Sequence, residues 1–350
     1  MTDSPIRPIL ETLASDPIVL AQVKALLSNQ PIDMPNGNDS EQQGMVLESV
    51  FGGRDQVRTG MRLDVVSGGG GSGLELDVAR FDRGLPNNRM QLEAIIEVTG
   101  RPPLVIRDNE WAEPVIAEVK NRLEAARDHL EVAIPAVGRI DIVRSGNRSM
   151  VGTGWFVDDR KIVTNAHVAR EFIDATRDGD RAEYSFFEPN VLFDTYCEHE
   201  VDTSKTASVT KLLHMEPENS EHDIAVLQVS EMDGGFPAPL QLDEDEPEFN
   251  MDVAAIGYPA EDPRNDSFVM LRYFQNIYKV KRLSPGRLIG VEHDHYFEHD
   301  CTTLGGSSGS AIVNLSNGRV AGLHFAGEYK KRNFALKAAQ VKKYLAGQSV

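Results

Sequence analysis

The sequence predicts a mainly β protein preceded by a helical N-terminal region. Three observations carry that prediction. From about residue 133, short β-rich runs follow one another: GRIDIV, GTGWFV, KIVTNA, IAVLQV, VAAIGY, RLIGVEH, SAIVNL and RVAGLHF. Gly, Pro, Asn and Asp turn residues separate them, which is the texture of a β-barrel or sandwich. Upstream, Val115, Ile116, Val119, Leu123, Ala126 and Leu130 recur at helical spacing. The length of 350 residues exceeds the roughly 250–300 residues at which single cores stop growing, so about two domains are expected.

The elements follow in order. Residues 8–27 carry helical apolar spacing interrupted by Pro17, which predicts two short helices in place of one. Residues 35–44 (PNGNDSEQQG) read as a linker or long loop, and residues 67–73 (SGGGGSG) as a second one. The latter lacks the Lys-Ser/Thr ending of a phosphate loop, so nucleotide binding is not expected. A helix is expected over 112–130, with Pro114 near its start, where a missing N–H costs little. It leads into the β-rich part at about residue 133. The expected organisation is therefore a helical or mixed region at 1–132 and a β-rich unit at 133–350. The stretch 243–248 (DEDEPE) reads as a solvated connector between two groups of strands.

Composition removes several functions. With 54 acidic against 36 basic side chains, the net charge is −18. Broad binding to nucleic acid or an anionic membrane needs a basic surface, so neither is an expected partner. No apolar run approaches the roughly 20 residues of a spanning helix. The start, MTDSPIRPIL, has no cationic segment followed by an apolar one, so no secretory signal is expected. Two cysteines, Cys197 and Cys301, do not make a disulfide framework. A cytoplasmic protein with free thiols is the expectation.

Three segments of the β-rich part carry chemistry in combination. They are Thr164-Asn165-Ala166-His167-Val168, His222-Asp223-Ile224-Ala225-Val226-Leu227, and Gly305-Gly306-Ser307-Ser308-Gly309-Ser310-Ala311. Singly, each is an ordinary strand end, turn or loop. In the order His, Asp, Ser, they match a Ser-His-Asp triad. Ser308 is the expected nucleophile, its hydroxyl inert until His167 accepts the proton. Asp223 would hold the imidazole tautomer and stabilise the imidazolium. The glycines permit a tight turn in which the N–H groups of Gly306 and Ser308 bind an oxyanion.

At these residues the chain resembles the trypsin-like (chymotrypsin-fold) serine proteases. TNAHV, HDIAVL and GGSSGSA look like the catalytic blocks of the bacterial glutamyl-endopeptidase and HtrA-like branches. Gly257-Tyr258-Pro259 and Gly322-Leu323-His324-Phe325 agree. The resemblance covers roughly residues 134–345. It implies two six-stranded-type antiparallel barrels, about 133–240 and 241–345, with the site between them. It also implies a serine endopeptidase acting on proteins or peptides through an acyl-enzyme, with no cofactor. Ala311 stands where many members have proline. Residues 1–132 carry no catalytic signature, so a regulatory or partner-binding role is the expectation there, with a packing extension as its alternative.

Other readings stay beside this one. Residues 305–309 also spell G-x-S-x-G around Ser307, the elbow of α/β-hydrolases. That fold needs an acid and then a histidine after the serine, and a helix next; the order of residues here fails. A protease-like fold that only binds or scaffolds is the functional alternative. By the resemblance, the S1 pocket is lined by Thr302, Thr303, His324, Phe325, Ala326 and Gly327. No Asp stands at the pocket base. Thr303 and His324 sit where glutamyl endopeptidases bind an acidic P1 side chain, and a hydroxyl with an imidazole suits a carboxylate; a structural role for His324 is the alternative. His293, Asp294, His295, His299 and Asp300 read as a polar strand and loop, with no metal expected.

Overall fold

The computed structural model describes residues 101–346, apart from 179–180, 202, 233, 263–264, 266 and 329–330. The expectations for 8–27, 35–44 and 67–73 lie outside the described residues.

Strands β1 (Leu104–Arg107) and β2 (Glu110–Trp111) come first, followed by helices α1 (Ala117–Ala125) and α2 (Arg127–Ala136). The helical signal at 112–130 is thus two helices, later in start and end than the spacing suggests. Ile116 is extended, with ψ of 125°, and Val115 is 51 % exposed, so neither starts the buried stripe. At Ala126 the backbone opens to ψ of 9° and its N–H is shared between Arg122 O (3.2 Å) and Leu123 O (3.1 Å). That tightened end closes α1. The helix then continues through Pro135, which lies in the last turn of α2.

Six strands close the first barrel: β3 (Val137–Arg144), β4 (Asn147–Asp158), β5 (Lys161–Thr164), β8 (Val191–Asp194), β9 (Thr206–Met215) and β10 (Ala225–Val229). Their order is β10-β5-β4-β3-β8-β9. Ile140, Trp155, Phe156, Val163, Phe193 and Leu227 are fully buried, and Phe156 meets Phe193 edge-on at 5.1 Å. Aromatic pairs at such angles add to area burial. Between β5 and β8 lie the short helix α3 (Ala166–Ala169) and a hairpin, β6 (Ile173–Asp178) with β7 (Arg181–Phe186).

The second barrel uses β11 (Asp252–Gly257), β12 (Arg282–Gly290), β13 (Tyr296–His299), β14 (Ala311–Asn314), β15 (Val320–Glu328) and β16 (Arg332–Lys337). They run β11-β14-β15-β16-β13-β12, and β12 pairs back onto β11. Helices α4 (Ser267–Phe274) and α5 (Ala338–Ala346) complete the described chain. The two barrels are the architecture the resemblance implied.

Strand β1 adds to the second barrel through Leu104↔Leu283. Beside it, the fully buried Lys281 donates to Ile134 O (3.0 Å) and Thr195 O (2.6 Å) and faces Glu198 at 3.4 Å. Burial lowers the Lys281 pKa to about 8. This one side chain ties α2 and the 195–198 turn to the start of β12.

Neither thiol is in a disulfide, as expected. Burial raises the Cys197 thiol to about 12 and pushes Cys301 up as well, so both stay protonated and poorly nucleophilic. Among the described residues, no helix is long and apolar enough to cross a membrane.

Candidate active site

Strand register places the first two catalytic candidates. Thr164, the last residue of β5, pairs with Ala225, the first of β10. His167 follows three residues after one, and Asp223 precedes the other by two. The chain leaves β5 through Asn165, whose extended backbone starts α3. Asn165 Nδ2 donates to Asp223 O at 2.9 Å, so the two segments are tied before their functional side chains meet.

Asp223 then receives His167 twice. The His167 backbone N–H donates to Oδ1 at 3.0 Å, and Nδ1 lies 2.6 Å from Oδ2. A carboxylate accepts only, so Nδ1 carries the proton and Nε2 presents a lone pair. The Asp223 side chain is fully buried, whereas that of His167 is 11 % exposed. Burial makes this pair stronger and its geometry more restrictive than a surface ion pair.

The serine segment reaches the first barrel through Thr153 in β4. Thr153 N donates to Ser308 O (2.9 Å) and its hydroxyl donates to Gly306 O (2.8 Å). Thr153 Oγ1 also accepts from Tyr258 N at 3.2 Å, and Thr164 Oγ1 donates to Thr153 O at 2.7 Å. These bonds join the serine loop, the end of β5 and the turn after β11. A Cβ on Gly152 would lie 2.7 Å from Val168 and 3.3 Å from Ser308 O, so the neighbour of His167 and the backbone of Ser308 flank one point. Gly309, at φ +90°, would place a Cβ 2.0 Å from Thr153 O. Only glycine satisfies both that torsion and that approach.

The peptide planes of the loop are pinned by their carbonyls. Ala260 N donates to Gly305 O at 2.6 Å. Ser307 O accepts from Ser310 N (2.9 Å) and Ser310 Oγ (2.6 Å). In a trans peptide the N–H opposes its C=O, so the Gly306 and Ser308 N–H groups point away from these anchors. Ser307 is different: its hydroxyl accepts a long 3.4 Å contact from Leu304 N within the turn. A strand, β14, follows the serine rather than the helix an elbow needs.

The residues proposed for S1 are all buried: Thr302 3 %, Thr303 2 %, His324 0 %, Phe325 4 % and Ala326 1 %. Pairing of β14 with β15 (Ala311↔Leu323) sets His324 beside the serine loop; Gly309 N donates to His324 O (2.9 Å) and His324 N to Ser310 O (3.0 Å). His299 Nε2 lies 3.1 Å from His324 Nδ1. Burial, then His324, pushes His299 well below the ordinary imidazole pKa, so it stays neutral. His299 Nδ1 is buried without a hydrogen-bond partner. A buried acceptor left bare costs less than a buried donor. Nε2–H of His299 therefore donates to His324 Nδ1, leaving His324 as the Nε2–H tautomer.

The sequence assigns no role to Thr153, Thr164 or Asn333. The Asn333 amide donates to Cys301 O (2.6 Å), and Thr303 Oγ1 donates to its Oδ1 (3.0 Å). Nothing in RNFALK signals this; the register His299↔Asn333 creates it. The residues of the 293–300 segment do not form one cluster, although His295 N donates to His293 Nδ1 at 3.1 Å. Asp300 holds Arg101 at 2.6 Å, and His293 stacks on Tyr296 at 3.6 Å. His299 meets His324, and His295 faces Glu221 at 3.3 Å.

Residues 152–323 match the family described as the trypsin-like peptidase domain. A probable serine protease of Lysobacter enzymogenes is 29 % identical over 287 residues, covering 71 % of this chain and 72 % of that protein. Among solved structures, an inactive serine-to-alanine mutant from M. tuberculosis is similar at 18 % identity and TM-score 0.42, covering 65 % of this chain and 94 % of its own. A serine endoprotease from Yersinia pestis is similar at 18 % identity and TM-score 0.41, covering 64 % and 66 %.

Proposed function

The chain is a trypsin-like serine protease with its family domain at residues 152–323, and from that premise we propose that His167, Asp223 and Ser308 hydrolyse peptide bonds through an acyl-enzyme. The observation that carries this reading is the buried Asp223 carboxylate, holding the His167 ring at 2.6 Å and its backbone at 3.0 Å. It makes Nε2 the base. Ser308 Oγ gives its proton to Nε2 as it attacks the scissile carbonyl. His167 returns that proton to the leaving amine, and water then repeats the sequence on the ester. The N–H groups of Gly306 and Ser308, on planes anchored at Ala260 and Ser310, are the oxyanion donors.

A fluorophosphonate probe tests the nucleophile. Labelling is expected in the wild type and in Ser307→Ala, and is lost in Ser308→Ala. Labelling lost in Ser307→Ala alone overturns the assignment. No labelling of wild type supports the alternative, a catalytically silent fold that binds or scaffolds.

For P1 we propose an acidic side chain, bound by His324 and by Thr303, whose hydroxyl turns from Asn333 Oδ1 to the substrate carboxylate. Support comes from the tautomer set by His299, which makes His324 a donor, and from the absence of any acidic residue among the S1 candidates. A charge-assisted hydrogen bond is worth about 1.5–3 kcal/mol, so His324→Gln is expected to lower kcat/KM for Glu at P1 by roughly 10- to 150-fold. The rate on a good Leu substrate should change much less, which separates recognition from misfolding. A wild-type library preference for Arg, Lys or Leu would sink the acidic reading.

A further inference from the structure

A second group of titratable side chains meets where the loop before β10 approaches the loop before β13. Ligand atoms of Glu221, His222 and His295 all lie within 4.8 Å of one another. Glu221 and His222 belong to the first barrel and directly precede Asp223, whereas His295 belongs to the second. The His222 and His295 rings meet edge-on at 4.7 Å.

The His222 ring has a defined tautomer. Its Nδ1 is 2.6 Å from the Tyr344 hydroxyl, and that hydroxyl is also hydrogen-bonded to Glu216. Because a carboxylate only accepts, Tyr344 O–H donates to Glu216 and its oxygen accepts Nδ1–H. A neutral imidazole has one N–H, so His222 Nε2 carries a lone pair. Nε2 of His222 is buried with no hydrogen-bond partner, and Nδ1 of His295, which makes no hydrogen bond either, faces Glu221 Oε2 at 3.3 Å. Two such nitrogens side by side, next to a carboxylate, call for an explanation.

We propose that Glu221, His222 and His295 bind a divalent transition-metal ion, with Zn2+ the best fit. Two imidazole nitrogens and one carboxylate oxygen are a zinc donor set, whereas Mg2+ and Ca2+ want more oxygens. Bonds of about 2.0–2.1 Å in a tetrahedron set donor atoms roughly 3.3–3.4 Å apart, so the group, now within 4.8 Å, must contract by up to about 1.5 Å. Glu221 Oε2 already lies 3.3 Å from His295 Nδ1, so the closure falls on the approach to His222 Nε2; water takes the fourth position. Glu216 and Tyr344 form the outer relay that orients His222, as outer carboxylates commonly orient metal-bound imidazoles. His214 Nε2, at 2.9 Å, shares the same Glu216. Such an ion would clamp one barrel to the other beside Asp223. The site is separate from the proposed triad and stands without it.

Calorimetric titration of the full chain with Zn2+ tests the proposal, with His167→Ala as control because His167 and Asp223 are the competing zinc ligands. The expected result is one Zn2+ per chain, with affinity unchanged in His167→Ala. His222→Ala and His295→Ala each weaken it by at least about 100-fold, beyond the roughly 10- to 100-fold expected of the outer variant Tyr344→Phe. Zn2+ should raise the Tm of wild type but not of His295→Ala, and circular dichroism verifies that the variants fold. Absence of Zn2+ binding in wild type overturns the proposal. So does affinity that survives in folded His222→Ala and His295→Ala but is lost in His167→Ala.

Discussion

Ser308→Ala is expected to hydrolyse peptides about a million-fold more slowly in kcat than wild type, the scale on which removing a triad nucleophile acts. The substitution deletes one oxygen. It leaves the loop's anchors in place: Thr153 N on Ser308 O, Ala260 N on Gly305 O, and the Ser310 bonds to Ser307 O. Substrate affinity and thermal stability should therefore change little. Ser307→Ala removes only the 3.4 Å contact from Leu304 N and should keep activity within an order of magnitude, since such a bond is worth about 1 kcal/mol or less. Stopped-assay kinetics on one peptide with both variants decides this. Full activity in Ser308→Ala would sink the acyl-enzyme reading.

Asp223→Asn is the second large effect, expected at about ten-thousand-fold in kcat. The amide is nearly the same shape, so the fold should hold. The chemistry does not. Both Asp223 oxygens accept from His167, one from the backbone and one from Nδ1. An amide offers a single acceptor. If its oxygen keeps the backbone N–H, its NH2 faces Nδ1 and moves the proton to Nε2, where the lone pair was needed. If it turns over, two N–H donors oppose each other inside a buried site. The first orientation removes the base; the second keeps it only by leaving two buried donors unpaired, which disfavours it. Turnover of refolded, circular-dichroism-matched Asp223→Asn measures it; a loss below ten-fold would place the base elsewhere.

Much of this was legible in the chain. All eight β-rich runs are strands, because inward-facing apolar residues at period two leave a local signature. Strands β8 and β9 were missed for a physical reason. The first is four residues long, and the second, TASVTKLLHM, is half exposed, so its pattern is diluted. Strand β16 was missed because its Arg, Asn and Lys look like loop residues until their partners are known. The helical stripe at 112–130 was real, but the break at Ala126 rests on backbone geometry that spacing does not encode.

Residue type and order were enough to select the chemistry: a histidine after one strand, an aspartate before another and a serine in a glycine turn. Those are local facts, carried by neighbours within about five residues. Distances are not local. His167 and Asp223 meet because β5 and β10 pair at Thr164↔Ala225, and Thr153 seats the serine loop because two barrels close against each other. His299 finds His324, Asn333 finds Thr303, and His222 finds His295 and Tyr344, partners 25 to 122 residues apart in sequence. Hydrophobic periodicity specifies which face a residue occupies but not what lies opposite. Only barrel closure and strand register determine the partner, and with it the tautomer, the donor set and the site.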